Sequence, residues 1–256
     1  MKNLSLSILA VSSAVVLGAC SSNSDGHGHK PTTPMVNPTN PTNPTNPTNP
    51  TNPTNPTNPT NPIINQNIMG QAIIFKNGTN EARLTNLNAN DINHLNIDGK
   101  VFQLSGGMSK DGFSYYSDDD YYGQIGHLNY ARYGYLGKSS GIEYSFYQGE
   151  RTPVANMPNQ GVVNYLGHYI YGDALTTRKG RVEFKANFTE KTMIGTSETN
   201  AALNFIADIK GNTFVNDGSK TGIQVDGAFF GNNAEELSGI YMDKNEKFAG
   251  AFGAKK

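Results

Sequence analysis

From residue 63 onward, apolar and polar positions alternate with a period of two in short runs, the pattern of strands that bury one face. Val182, Phe184, Ala186 and Phe188 share one parity, with Arg181, Glu183 and Lys185 on the other; Leu203, Phe205, Ala207 and Ile209 repeat this against Asn204 and Asp208. Ile223, Val225, Gly227 and Phe229 form a third such run, and Phe248, Gly250 and Phe252 a fourth. Shorter alternating stretches fall at 72–75, 101–104 and 141–147. Gly231-Asn232-Asn233 is turn chemistry, because glycine and asparagine tolerate positive φ. The apolar set faces a core, so Phe229 is expected to be buried and Phe230, on the opposite parity, to cost less when truncated. Long amphipathic helices are absent from the pattern, and the chain reads as all-β.

The first 62 residues follow other rules. Lys2 precedes an apolar run from Leu4 to Leu17, the length of a secretory h-region and too short for a mature membrane span. Leu17-Gly18-Ala19-Cys20 has the form of a bacterial lipobox, which predicts a signal peptide over 1–19 and lipidation of Cys20. Several acyl chains on one residue anchor firmly, each buried methylene adding about 0.8 kcal/mol. Ser21 rather than aspartate follows, which implies delivery to the outer membrane. Residues 37–62 repeat Asn-Pro-Thr eight times and offer nothing apolar to bury. Proline at every third position favours polyproline II, so a disordered linker over 20–62 reaches on the order of 100 Å as a stalk.

Composition narrows the functional classes. The 28 glycines, 13 tyrosines and 12 phenylalanines suit an all-β fold with frequent turns. A net charge of −1, without a lysine or arginine block, gives no footprint for nucleic acid or heparin. Cys20 is the one cysteine, so the folded part has neither a disulfide nor a thiol nucleophile. No H-E-x-x-H helix or phosphate loop is present, and the chain is not expected to be an enzyme.

The segment 227–241, GAFFGNNAEELSGIY, spaces Gly227, Phe229, Phe230, Gly231, Ala234, Glu235 or Glu236, and Gly239 in a pattern that resembles the β-barrel domain of transferrin-binding protein B, the meningococcal factor H-binding protein and related surface lipoproteins. Phe230 stands where tyrosine is usual there, and Asn232 where proline is common. Upstream, Met157, Pro158, Gly161, Tyr165 and Gly167 match the entry into the first barrel strand. The resemblance covers roughly residues 149–256. It implies an antiparallel eight-stranded β-barrel over 153–256, preceded by a β-rich handle domain over 63–152. Small residues among large ones on the inner parity fit a barrel filled by its own side chains, which puts binding on the outer surface.

Two stretches are candidate contacts. In YYSDDDYY, Tyr115 and Tyr116 precede, and Tyr121 and Tyr122 follow, the aspartates Asp118, Asp119 and Asp120. This reads as a loop whose tyrosines lie exposed, since rings beside three carboxylates are costly to bury together. Tyrosine is favoured at interfaces, and clustered aspartates pair with a partner's cations or hold Ca²⁺; a solvated hairpin tip explains the segment equally. Arg132 among Tyr130, Tyr133 and Tyr135 has the composition of a binding hot spot or of a packed strand. His27 and His29 form a weak metal pair or simple linker, and His94, His127 and His168 are scattered, with a haem ligand as a minor alternative. No cofactor or metal site is assigned.

The resemblance implies a surface-exposed lipoprotein that binds a host serum or haem-carrier protein, exported by a Slam-type translocon. The main expectation is a complement regulator, for immune evasion. The alternative is nutrient capture from haemoglobin, haem or transferrin as co-receptor to a TonB-dependent transporter. Barrel-closing residues do not choose between these ligands.

Overall fold

The computed structural model describes residues 68–76, 82–106, 109, 111–172, 177–219, 221–243 and 248–256. The signal peptide, the lipobox with Cys20, His27, His29 and the Asn-Pro-Thr stalk lie outside the described residues. The described residues form one compact unit.

Sixteen strands run through the described residues: β1 (Ile68–Lys76), β2 (Ala82–Ala89), β3 (His94–Ile97), β4 (Lys100–Gln103), β5 (Phe113–Ser117), β6 (Tyr121–His127), β7 (Ala131–Lys138), β8 (Ile142–Glu150), β9 (Val162–Gly172), β10 (Thr177–Asn187), β11 (Thr192–Thr196), β12 (Phe205–Lys210), β13 (Thr213–Asp217), β14 (Ile223–Phe230), β15 (Glu236–Asp243) and β16 (Phe248–Lys255). β9 to β16 close into an antiparallel eight-stranded barrel in simple up-and-down order, the last strand pairing with the first. Closure pairs every barrel strand on both sides over at least part of its length. The preceding strands form an antiparallel sheet in the order β2-β1-β8-β7-β6-β5, with β3 and β4 as a separate hairpin. The fold class expected from the alternation is the one observed.

The inner parities meet as the sequence implies. Phe184, Phe188, Phe205, Phe214, Phe229 and Phe252 fill the barrel with Tyr165, Tyr169 and Tyr241. Ring centroids lie 4.8 Å apart for Phe184–Phe252 and 5.4 Å for both Phe188–Phe229 and Phe214–Phe229. Each such side chain is worth about 1.5–3 kcal/mol of burial. Tyrosine hydroxyls find partners rather than apolar walls: Tyr165 donates to the Ala234 carbonyl at 2.7 Å, and Tyr241 accepts from Asn200 Nδ2 at 2.7 Å. Gly227 admits the Phe214 ring, whose Cζ lies 2.3 Å from where a Cβ would stand. The expected turn is present, with positive φ at Gly231, Asn233 and also Ala234.

The sheet buries both of its faces. On one, Leu95, Ile97, Phe102 and Leu104 of the β3–β4 region meet Ile125, Leu136, Tyr144 and Phe146. On the other, Ile73, Phe113, Tyr133, Tyr135 and Tyr147 press on the outside of the barrel, against Ile170, Ala228, Phe230, Ile240, Ala249 and Ala251. Small residues on the barrel make room for tyrosines on the sheet; a Cβ on Gly253 would stand 2.3 Å from Tyr133 Cε1.

This contact corrects one expectation. Phe230 does face out of the barrel, but the sheet covers it and its exposure is 0%, the same as that of Phe229. Its ring meets Tyr147 edge-on at 6.1 Å. Two carboxylates tie the same junction. Glu236 accepts from the Asn129 and Tyr130 amides, both at 2.8 Å, and Asp226 accepts from the Tyr147 hydroxyl at 2.9 Å. Burial pushes the pKa of both upward, while these hydrogen bonds pull it down. Thr152 completes the connection: its amide donates to the Phe229 carbonyl at 2.9 Å and its hydroxyl to Gly231 O at 2.7 Å.

Candidate partner-binding surface

The tyrosine–aspartate segment is two strands and a tight turn, not a loop. Only Asp118, Asp119 and Asp120 lie between β5 and β6. Asp118 organises the turn: Oδ1 accepts from the amides of Asp120 and Tyr121 at 2.9 and 2.7 Å. Its Oδ2 accepts from Lys100 Nζ and from the Tyr116 hydroxyl, both at 2.9 Å. The Lys100 ammonium is the main reason that the Asp118 carboxyl is held well below the usual range. The Tyr116 hydroxyl is pushed up to about 12, by burial first and by Asp118 second.

The expectation that all four tyrosines are exposed fails at Tyr121, which is 6% exposed. Strand alternation turns Tyr121 toward Phe102 and Tyr144, at ring distances of 5.0 and 5.9 Å. Lys100 lies 4.2 Å above its ring and Lys138 5.3 Å, so cations offset the cost of placing aromatics beside carboxylates. Lys138 also pairs with Asp120 at 3.6 Å. Tyr116 and Tyr122 are half-buried, the first against the β3–β4 side and the second against the barrel side. Tyr115 remains, 71% exposed, with Asp119 exposed nearby on the turn.

Arg132 does not stack among tyrosines. On β7 it occupies the face opposite Tyr133 and Tyr135, which pack toward the barrel. Its Nε donates to Asn93 Oδ1 at 3.0 Å, and Nη1 to the carbonyls of Leu128 and Ala131. Desolvation lowers its pKa, opposed by the nearby charges of Glu236 and Asp91.

The histidines take separate places. His127 Nε2 lies 2.7 Å from Ser114 Oγ, and burial lowers its pKa to about 4. Phe113 packs at 5.9 Å from the His168 ring, whose pKa burial also lowers. The His94 Nδ1 is 2.7 Å from Asp91. Among the described residues no group of three or more His, Cys, Asp or Glu side chains is arranged to hold a metal ion.

A second exposed surface lies on the outward parity of the barrel. Ile194 and Ile206 sit on the parity that is otherwise polar, at 41% and 64% exposed, directly opposite each other on β11 and β12. An isoleucine beside Asn204 and Asp208 on the outward parity was the available signal. A groove of about 500 Å³ also runs where the sheet meets the barrel, lined by Asp111, Leu166, His168, Arg181 and Lys255 among others.

The geometry defines a handle-and-barrel protein, a β-sheet domain packed on the outside of a closed eight-stranded barrel. Residues 157–256 match the family described as the C-lobe and N-lobe beta barrels of Tf-binding protein B. A curated relative, an uncharacterized protein of Haemophilus influenzae, is 39% identical over 125 residues, 44% of this chain and 43% of that protein. Among solved structures, transferrin-binding protein B of Haemophilus parasuis Hp5 matches with a TM-score of 0.54 and 24% identity, over 74% of this chain and 45% of that one. The isotype 1 protein of serogroup B Neisseria meningitidis gives 0.56 and 23%, over 73% and 43%. The haemoglobin receptor HpuA of Kingella denitrificans matches at 0.51 and 13%, over 75% of this chain and 87% of that one. These structural likenesses establish the shared fold. The chain spans less than half the length of the curated relative and of the transferrin-binding proteins it matches.

Proposed function

We propose that this protein is a lipid-anchored receptor of the outer-membrane surface that captures a host iron-carrier protein. The observation that carries the reading is the fold. A handle sheet packed on a closed barrel is shared with transferrin-binding proteins and with a haemoglobin receptor. A structure of that receptor in complex with human haemoglobin has the same fold, with a TM-score of 0.52. The relatives point to iron-carrier proteins rather than to a complement regulator, which favours nutrient capture over immune evasion. The barrel interior is filled by aromatic rings, so the contact falls on the outer surface, where a macromolecule rather than a free small ligand is the natural partner.

The reading includes an anchor at Cys20, a stalk over 20–62, export by a Slam-type translocon and hand-over of iron or haem to a TonB-dependent transporter. The exposed ring of Tyr115 with Asp119 is the part of the predicted contact segment available to a partner.

The test is capture from solution. Fragment 60–256, which retains every described core, is immobilised and presented with haemoglobin, transferrin and factor H in turn. Retention of haemoglobin or transferrin is the expected result; retention of factor H alone, or of none, refutes the proposal. Acyl labelling of cells carrying Cys20→Ser checks the anchor, and persistent lipid incorporation overturns it.

A further inference from the structure

The barrel wall that faces away from the sheet opens along one seam. Pairing of β12 with β13 runs from Lys210 opposite Thr213 to Asp208 opposite Val215 and stops there. β12 reaches back to Phe205, while β13 goes on to Asp217 paired only with β14, through Asn216 opposite Val225 and Asp217 opposite Gln224. In place of the next rung, Asn216 Nδ2 reaches across to the Ile206 carbonyl at 2.8 Å. The strands diverge into a cleft of about 880 Å³.

Three properties of the cleft agree on one kind of occupant. The Ile206 carbonyl is held by a side chain, a partner that an incoming backbone amide can replace at equal hydrogen-bond count. Ile194 and Ile206, exposed as described, offer an apolar pair that the handle sheet, packed on the β14-β15-β16-β9 side, does not cover. Among the described lining residues, Glu198 and Asp208 stand against Lys210, so the lining carries an excess of negative charge. A strand beside β12 turns alternate side chains outward, where Ile206 and Asp208 share one face, so an outward lysine meets the carboxylate with its ammonium and the isoleucines with its methylene stem, while β-branched residues between favour the extended chain.

We propose that this cleft binds an extended segment of a partner polypeptide that alternates basic and β-branched residues, the segment lying along β12 beside Ile206. The inference stands apart from the iron-carrier reading, since it concerns a surface and a peptide chemistry irrespective of what the partner carries.

Two synthetic probes test it on fragment 60–256: a peptide of alternating lysine and valine, and its glutamate–valine counterpart. The lysine peptide is expected to bind, to slow hydrogen exchange at the Ile206 amide, and to bind at least about tenfold more tightly than the glutamate peptide. Ile206→Gln, which removes the apolar branched surface without adding charge, is expected to weaken the lysine peptide by a similar factor with an unchanged melting temperature, because this side chain is largely solvated. Ile206→Thr keeps the β-branched shape and serves if the glutamine disturbs the strand. Asp208→Lys should narrow the preference between the two peptides. The proposal is overturned if neither peptide binds, if both bind alike, or if binding survives both Ile206 substitutions.

Discussion

Truncating Phe229 and Phe230 separately to alanine probes the two halves of the fold with adjacent residues. Phe229 points into the barrel, touching Tyr165, Phe188 and Phe214 at ring distances of 6.1, 5.4 and 5.4 Å. Phe230 points the other way, under Tyr147 and over Gly149, where a Cβ would stand 2.8 Å from its Cδ1. Both are 0% exposed, so each replacement removes a fully buried ring and leaves a cavity, at about 3–5 kcal/mol. Against a total stability of about 5–15 kcal/mol, either loss is large. In urea, with a slope of about 2 kcal/mol per molar, each midpoint should fall by about 1.5–2.5 M. Phe229→Ala should lower a single cooperative transition. Phe230→Ala acts at the junction, so near- and far-ultraviolet signals are expected to separate as the handle loosens before the barrel. A cost below about 1 kcal/mol at Phe230 would place it in solvent, and the packing of sheet on barrel would be wrong.

Other consequences are open to direct measurement. Tyr121→Ser should destabilise by about 2–4 kcal/mol through loss of a buried ring, whereas Tyr115→Ser should leave the melting temperature within a few degrees and weaken partner capture; equal thermal effects would refute the assignment of faces. Gly253→Ala should cost about 1–3 kcal/mol by driving a methyl group into Tyr133, and a smaller residue at 133 should recover part of it in a double-mutant cycle; strict additivity would refute the contact. His127 is held neutral, its pKa lowered to about 4, so its contribution to stability is complete above the unfolded value near 6.5 and declines as pH falls through 4. His127→Gln should flatten that part of the stability–pH curve, and an unchanged slope would show that the imidazole is solvated. Glu236, with its pKa raised by burial, has the opposite sign: its contribution is complete below the unfolded carboxylate value and is lost as pH rises through the folded one, a slope that Glu236→Gln should remove.

The alternation of Val182 to Ala186, Phe205 to Ile209 and Ile223 to Phe229 determined the strands, their inner faces and the all-β class, because side-chain period follows from strand geometry alone; Leu203, on the same parity as Phe205, instead lies in a 3-10 turn before β12. The glycine–aromatic spacing around Gly227 and Gly239 was legible for a related reason: a ring entering a barrel needs a missing Cβ opposite it, as Phe214 does at Gly227. The proposed lipidation of Cys20 and the proposed stalk rest on local sequence alone, since a lipobox and a proline repeat are each read from a few neighbouring residues. What covers an outward face is not local. Phe230 and Ile206 both occupy outward parity; the handle lies over one, while the other stays 64% exposed beside an open seam. The same limit applies to the tyrosine–aspartate segment, where Tyr121 is buried because Lys100, Phe102 and Tyr144, distant in sequence, close around it. Only the tertiary structure decided those positions, because burial depends on which surfaces meet, and period-two alternation carries no record of the partner across the interface.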